Sequence, residues 1–517
     1  MGGHLHALCT AAALGLAALA SGCASHSSRI LEFRMAWGGG DLDRAERAID
    51  ELLASESGAS VEVVSQSNGL DPSVDPKEGN TYLLLLEKAM TRLARGDAKS
   101  SLRLLLAARD ELDDHYSSTF ADYFSAALTD DESRAYSGAD YEHILVRVML
   151  AVTDLLVAEG DAYAYALQVG EKQEEIIGSD FGDSATNYYP RRQYQRVAAG
   201  AYMQGLVQEA NLAPSEAAIA YERGLGFAGG NAALRDALAR ARSGKYAANG
   251  CGVLHVFYFG GRGPHLEADY RSPEGSAIQL AAIGAAFVGG SVANLGQTAV
   301  PVPKVVVTDP VVPPLSIAVD GGPPSSGTSL LLDVNQVAVQ QNEANMPGVV
   351  ARAMVRRAVK GGIGAAIESE GSSTAQLMGF LFTAISTGTE RAETRSWVSL
   401  PAQIQVARVE VPEGVHRISF GDRNEVPVRI ARGADSYAVV IRPNLGLPGS
   451  VVVDSNSRVD PIVAPAPARP DPALPPIPAP ASPDGAKPAP AAPAVPPAPA
   501  APAHAPAGGP APAGTPR

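Results

Sequence analysis

Cys23 is the residue in this sequence whose surroundings fit a definite chemistry. An apolar run from Thr10 to Ala20 ends in Ala20-Ser21-Gly22-Cys23. The run is too short to span a bilayer as a stable helix and has the length of a signal-peptide core. Small side chains ahead of the cysteine let the chain lie extended in a peptidase cleft. After cleavage the thiol stands at a new N-terminus, open to transfer of a diacylglycerol. The other cysteines offer less. Cys9 leaves with the leader, and Cys251 is then the last free thiol, which excludes an intramolecular disulfide and a multi-cysteine zinc site. Cys251 stands between Gly250 and Gly252 just ahead of a strand, so it reads as a buried or spare thiol before it reads as a nucleophile. The mature histidines, His26, His115, His143, His255, His265, His416 and His504, form no HExxH and no close pair with ligand spacing. No Gly-x-Ser-x-Gly elbow occurs. Gly260-Gly261-Arg262-Gly263-Pro264 lacks P-loop spacing and its Lys-Ser/Thr, and reads as a tight turn. The residues therefore predict no enzyme, no cofactor and no metal.

The stretch around Cys23 resembles a lipobox. The usual leucine three places before the cysteine is Ala20 here, with Leu19 one place earlier, and the leader carries no Lys or Arg. The alternative is an ordinary signal peptide that leaves Cys23 free. Membership of the lipoprotein class implies two or three acyl chains, enough for lasting attachment where one chain binds only marginally. Ala24 follows Cys23, and the absence of an aspartate there implies the outer membrane, with the protein facing the periplasm. The formal net charge of −14 argues against nucleic acid or anionic lipid as the main partner.

Two groups of residues are candidates for a partner surface. Asn187 to Tyr194 is the densest aromatic and arginine cluster, and Tyr188, Tyr189, Arg191 and Arg192 are of the types favoured at binding hot spots. The bland reading makes it a helix N-terminus, with Pro190 in the first turn and tyrosines packed between helices. Arg352, Arg356 and Lys360 lie four apart on a helix that Pro347 is expected to start. They suit an anionic headgroup or wall polymer, or simply form a solvated face. The acidic pairs Asp113-Asp114 and Glu174-Glu175 read as solvated too.

The elements that must position these residues follow from shifts in composition. Residues 1–22 form the leader and 23–29 a lipidated tether. Residues 30–247 are rich in Ala, Leu, Arg and Glu, 250–455 in Val, Ile, Gly and Pro, and 456–517 in little but Pro and Ala. In the first block, Gly40-Asp41, Gly96-Asp97, Gly160-Asp161 and Asn211-Leu212-Ala213-Pro214 each precede apolar residues at helical spacing. Glycine can end one helix in the left-handed region and aspartate can cap the next. The pattern resembles the tetratricopeptide (TPR) hairpin, with turns spaced more widely than its 34 residues. The expectation is a TPR-like α-solenoid with insertions such as Gln66 to Asn80, the alternative being an irregular bundle. The second block predicts a β-rich domain, an antiparallel meander or half-sandwich, with a hairpin turn at Pro412-Glu413-Gly414. The whole is thus α+β and multidomain. The tail cannot bury a core and should stay disordered or in polyproline II, reaching on the order of 175 Å if extended, far enough to approach peptidoglycan.

Gly160-Asp161 with its flanking helices, Phe259 to Pro264, and Ala392-Glu393-Thr394-Arg395-Ser396-Trp397-Val398-Ser399-Leu400-Pro401 occur together. In these stretches the chain resembles a family of bacterial lipoproteins of unknown activity, in which TPR-like helices precede a strand-rich domain. The resemblance covers roughly residues 30 to 445 and implies no catalytic residue. Trp397 is expected to be a core anchor beside Leu400, with Arg395 stacked or paired nearby. The function expected is a non-catalytic scaffold for an envelope protein, held to a membrane through lipid on Cys23. The alternative is an envelope enzyme or a carbohydrate- or peptidoglycan-binding protein that uses the β-rich domain, which requires a pocket near Arg395, His265 or His416.

Overall fold

The computed structural model describes residues 26–70, 80–114, 116, 136–178, 191, 194–287, 299–368, 392–421 and 425–459. The chain divides into two compact units, Met1–Asp460 and Pro461–Arg517. Cys23 and the tail from residue 460 lie outside the described residues.

The first unit opens with helices α1 (His26–Arg29), α2 (Leu31–Gly39), α3 (Leu42–Ser57), α4 (Val61–Ser67), α5 (Thr81–Ala94) and α6 (Ala98–Asp114). It continues with α7 (Asp140–Val157), α8 (Ala162–Gly178), α9 (Ala199–Ala210), α10 (Pro214–Phe227) and α11 (Ala232–Ser243). All four turns anticipated from the sequence join paired helices: α2 to α3, α5 to α6, α7 to α8 and α9 to α10. Gly40 and Gly96 hold φ of 74° and 84°. After them, Asp41 and Asp97 accept from the amides of Arg44 and Ser100 at 3.0 and 3.1 Å. The third turn is capped differently. Asp154, at the end of α7, accepts the amide of Ala162 at 2.7 Å from eight residues back. Successive hairpins pack on each other, and α9 comes so close to α8 that a Cβ on Gly200 would lie 2.7 Å from Val169 Cβ.

The strands follow. β1 (Cys251–Arg262) is the centre of a five-stranded sheet and is buried along nearly its whole length. It runs antiparallel to β7 (Pro401–Pro412) and parallel to β10 (Asp435–Arg442). The edges are β11 (Ser450–Val453), beside β10, and β6 (Ser329–Asp333), beside β7. Successive side chains on a strand point to opposite faces, and the cores show it. Phe257, Phe259, Ile404, Val439 and Ile441 join the core of the helices, while Leu254, Val256, Tyr258, Val409 and Val440 join a second core. That second core is closed by a four-stranded sheet of β5 (Pro324–Gly327), β4 (Ser316–Val319), β8 (Gly414–Phe420) and β9 (Glu425–Ile430). The layers are therefore helices, sheet, sheet, an α+β arrangement. Beside them a ribbon of β2 (His265–Arg271) and β3 (Val300–Val306) packs with α12 (Gly275–Phe287) and α13 (Val334–Glu368) around a third core.

Three expectations need correction. The large sheet is not a meander, because β1 pairs with β10 in parallel across most of the strand-rich sequence. Pro412-Glu413-Gly414 is a corner rather than a hairpin turn: β7 and β8 do not pair but belong to different sheets. Pro347 lies inside α13, not at its start. It costs the helix one amide donor, and the buried side chains of Met346, Val350, Ala351, Met354 and Val355 hold the helix together on both sides of it.

Candidate functional site

The strongest candidate site is a cleft of about 220 Å³ where the helices meet α13 and the β2–β3 ribbon. Its apolar walls are Tyr141 at the start of α7, Leu266 on β2, Pro303 and Val305 on β3, and Ala338 and Val349 on α13. Its polar groups are Asp140 on α7, Gln341, Asn342, Asn345 and Arg352 on α13, and Arg191 and Glu393 outside these elements. Residues four apart on α13, Ala338 with Asn342 and Gln341 with Asn345, share the face that α13 turns to the cleft.

Most of the polar groups hold one another. Asp140 accepts from Tyr194 Oη at 2.8 Å and pairs with Arg191 Nε at 3.2 Å. Tyr194 Oη also lies 2.7 Å from Asn345 Oδ1. One hydroxyl proton cannot serve two acceptors. With the Asn345 amide turned over, Tyr194 donates to Asp140 and accepts from Asn345. Burial and the neighbouring Asp140 carboxylate push the Tyr194 phenol far above its ordinary range, so it stays a donor. Gln341 is the exception. It is 3% exposed and lines the cleft, and its Oε1 has no hydrogen-bond partner among the described residues. An unmatched buried amide oxygen costs roughly 1–3 kcal/mol, a cost that a ligand with one N–H or O–H donor would relieve.

One edge of the cleft is Glu393, the start of a strap, residues 392–400, that threads into the helical layer. The strap is tied by two buried acids on neighbouring helices. Glu142 of α7 accepts from Trp397 N at 2.8 Å and Ala139 N at 3.0 Å, with the Tyr136 hydroxyl also bound. Glu87 of α5 accepts from Val398 N at 2.7 Å and Ser399 N at 3.0 Å. Burial, reinforced by Glu142, raises the Glu87 carboxyl to about 8 against the pull of those hydrogen bonds. Burial raises Glu142 as well. Trp397 is fully buried beside Leu400, as the sequence suggests. Arg395 pairs with Glu393, donates to Asn80 Oδ1 at 3.0 Å and covers the Tyr136 ring at 5.5 Å.

No family model, curated protein or solved structure matches the chain. The geometry therefore has to carry the reading by itself.

Of the residues singled out in the sequence, Arg191 and Arg352 come together in the cleft. Cys23, Tyr188, Tyr189 and Arg192 lie outside the described residues, as does the side chain of Lys360. Arg191 is buried against Asp140, and Tyr194 is buried too. Pro190, expected in the first turn of a helix, lies outside the described residues; the next described helix is α9 from Ala199. Arg356 is 5% exposed, so it does not belong to a solvated face with Arg352. Asp113 is half-buried: it pairs with Arg147 and, at 3.0 Å, with Lys172, and His143, Arg147 and Lys172 hold its carboxyl well below the usual range despite its partial burial. Arg395, His265 and His416 do not converge. His416 is bound through Nδ1 to Asp320 at 2.7 Å and through Nε2 to Pro412 O at 2.9 Å. His265 lines a different cavity, of about 360 Å³, that includes neither Arg395 nor His416. Among the described residues, no group of three His, Cys, Asp or Glu has metal-holding geometry.

Sequence reasoning missed Gln341, Glu87 and Glu142. Glu87 and Lys88 stand together in an otherwise apolar run, Leu83 to Met90, between Leu86 and Ala89. An acid on the core face of a helix is the one local signal that could have found it.

Proposed function

We propose that this chain is a lipid-anchored cell-envelope protein, attached through Cys23, whose helices form a TPR-like solenoid and whose junction cleft receives an extended segment of a partner protein. The observation that carries the reading is Gln341: a buried amide oxygen, unmatched, at the wall of an apolar cleft. A backbone N–H is the donor such an oxygen takes, and the walls around it suit one small apolar side chain. A cleft of about 220 Å³ is below the size usual for a whole small-molecule ligand, but it is room enough for one side chain of a longer peptide. The consecutive antiparallel hairpins support the solenoid reading, since such stacks present surfaces to protein partners. The outer membrane and a periplasmic orientation follow from the lipoprotein resemblance, as does a role as a non-catalytic scaffold. The Pro/Ala tail would then lie near peptidoglycan.

Site-specific photo-cross-linking tests this. A photoreactive residue replacing Asn342 in the full chain is expected to capture one discrete envelope protein in intact cells. The same residue replacing Ile219, which is exposed on α10, is expected to capture none of it. Val349→Trp, which fills the cleft, should abolish capture. Capture that survives the filled cleft would sink the proposal.

A further inference from the structure

A short tether restricts which side of a protein can face its membrane. Two residues, Ala24 and Ser25, separate Cys23 from His26, and the three peptide steps between them reach at most about 10 Å. From His26 the helix continues through α2 with hardly a break: Ile30 N donates to His26 O at 2.9 Å and Arg34 N to Ile30 O at 3.0 Å. At the helical rise, Leu31 and Met35 stand only about 8 and 14 Å along the axis from His26.

The two faces of α2 are unlike. Ile30, Phe33, Ala36 and Trp37 enter the core. Leu31 and Met35, one turn apart, are 48% and 55% exposed. Arg34 lies between them, and all three border the open groove of about 360 Å³, together with Arg262. Leu447 lengthens the apolar strip: its Cδ1 lies 4.0 Å from where a Cβ on Gly40 would be, and Asn444 Nδ2 fixes that loop to Gly38 O at 3.0 Å. Large apolar side chains with charged neighbours, here Arg34 and Arg262 with the exposed Glu32, are compatible with a surface that lies in a bilayer interface. Other exposed apolar residues, such as Ile219 on α10 and Val415 on β8, sit on other elements, and neither borders the groove that Leu31, Arg34 and Met35 line.

We infer that the outer face of α2, with Leu31, Arg34 and Met35 beside Leu447, lies against the glycerophospholipid surface and fixes the orientation of the folded unit on it. The inference rests on the lipid anchor of the proposed function. A link of two residues cannot hold the folded part clear of the headgroups, so some face must meet them, and this is the apolar face within reach.

The test uses the full, lipid-modified protein in vesicles of phosphatidylethanolamine and phosphatidylglycerol that carry nitroxide-labelled acyl chains. A fluorophore is placed at Met35→Cys in a Cys251→Ser background, with Ile219→Cys and Val415→Cys as controls. Quenching at position 35 is expected to exceed both controls several-fold. Equal quenching at the three positions overturns the inference. The mass of the N-terminal peptide separates the two ways of failing. Acylated protein without selective quenching overturns the face alone, whereas an N-terminus without acyl chains overturns the anchor and the inference with it. A second variant, Leu31→Glu with Met35→Glu, keeps the core-facing side of α2 intact. A label at Leu447→Cys should then lose its quenching while circular dichroism is unchanged, and quenching that persists overturns the role of these two side chains.

Discussion

Glu87 and Gln341 carry opposite kinds of cost, and each gives a prediction. Glu87 is a buried acid with two partners, the amides of Val398 and Ser399. Glu87→Ala leaves both amides unmatched and should cost roughly 2–6 kcal/mol in denaturant unfolding. Its carboxyl titrates near 8 in the fold against an ordinary 4.5, so between these values the folded state binds more protons than the unfolded chain. Stability contributed at this site should therefore fall as pH rises from about 4.5 to 8, and level off on either side. Glu87→Gln mimics the protonated acid and should flatten that slope; a slope identical to the parent's would show that Glu87 is not its source. Gln341 instead holds an oxygen with no partner among the described residues. Gln341→Leu should raise stability by about 1–2 kcal/mol while weakening capture of the partner through Asn342, since sites kept for binding trade stability for function. A Gln341→Leu variant less stable than the parent would mean that the oxygen is satisfied after all. Neither role was legible from the sequence. Glu87 finds its partners 311 and 312 residues away, and no local pattern encodes a pairing at that distance.

At the level of elements, local chemistry was readable where it was self-contained. Gly40-Asp41 and Gly96-Asp97 act as the sequence suggests, because the glycine, the aspartate and the amide it caps lie within a few residues. Gly160-Asp161 marks a real turn, but the cap is Asp154, which the earlier helix brings back over the turn. Asp154→Ala should thus cost about 1–2 kcal/mol and Asp161→Ala much less; thermal unfolding of the pair decides, and equal losses would refute the assignment. Strand positions were legible from their runs of Val, Ile and Phe, but their partners were not. The parallel pairing of β1 with β10 joins Val253 to Asp435. The corner at Gly414 has the composition of a hairpin turn because both need proline and glycine. Pro347 misled for a related reason: local propensity marks a helix start, and packing on both sides of it overrides that preference.

For the molecule as a whole, the two compositional blocks build one compact unit rather than two independent ones. The five-stranded sheet gives one face to the helices and the other to the small sheet. The folded part closes at its C-terminal end through Asp454, which accepts from Tyr437 N at 2.8 Å and Ser457 N at 3.0 Å. Next to it Ser455 N donates to Leu156 O at 3.0 Å, tying the last turn to α7. A chain ending at Val459 is expected to unfold within about 2 °C of the full protein, whereas one ending at Gly449 loses β11 and this tie and should lose cooperative unfolding. The compositional boundary near residue 456 was legible to within a few residues. The joint between the helical and strand-rich blocks was not, because composition reports what each block is made of and says nothing of which surface covers it.

The strap from residue 392 to 400 also sets an order of events at the ribosome. Chains grow from the N-terminus at about 5–20 residues per second. The 311 residues between Glu87 and Val398 therefore take on the order of 15–60 s to make. For that interval the helices have emerged with two acids facing an empty slot. The early half of the chain must stay unlocked, open to chaperones, until its own late segment arrives.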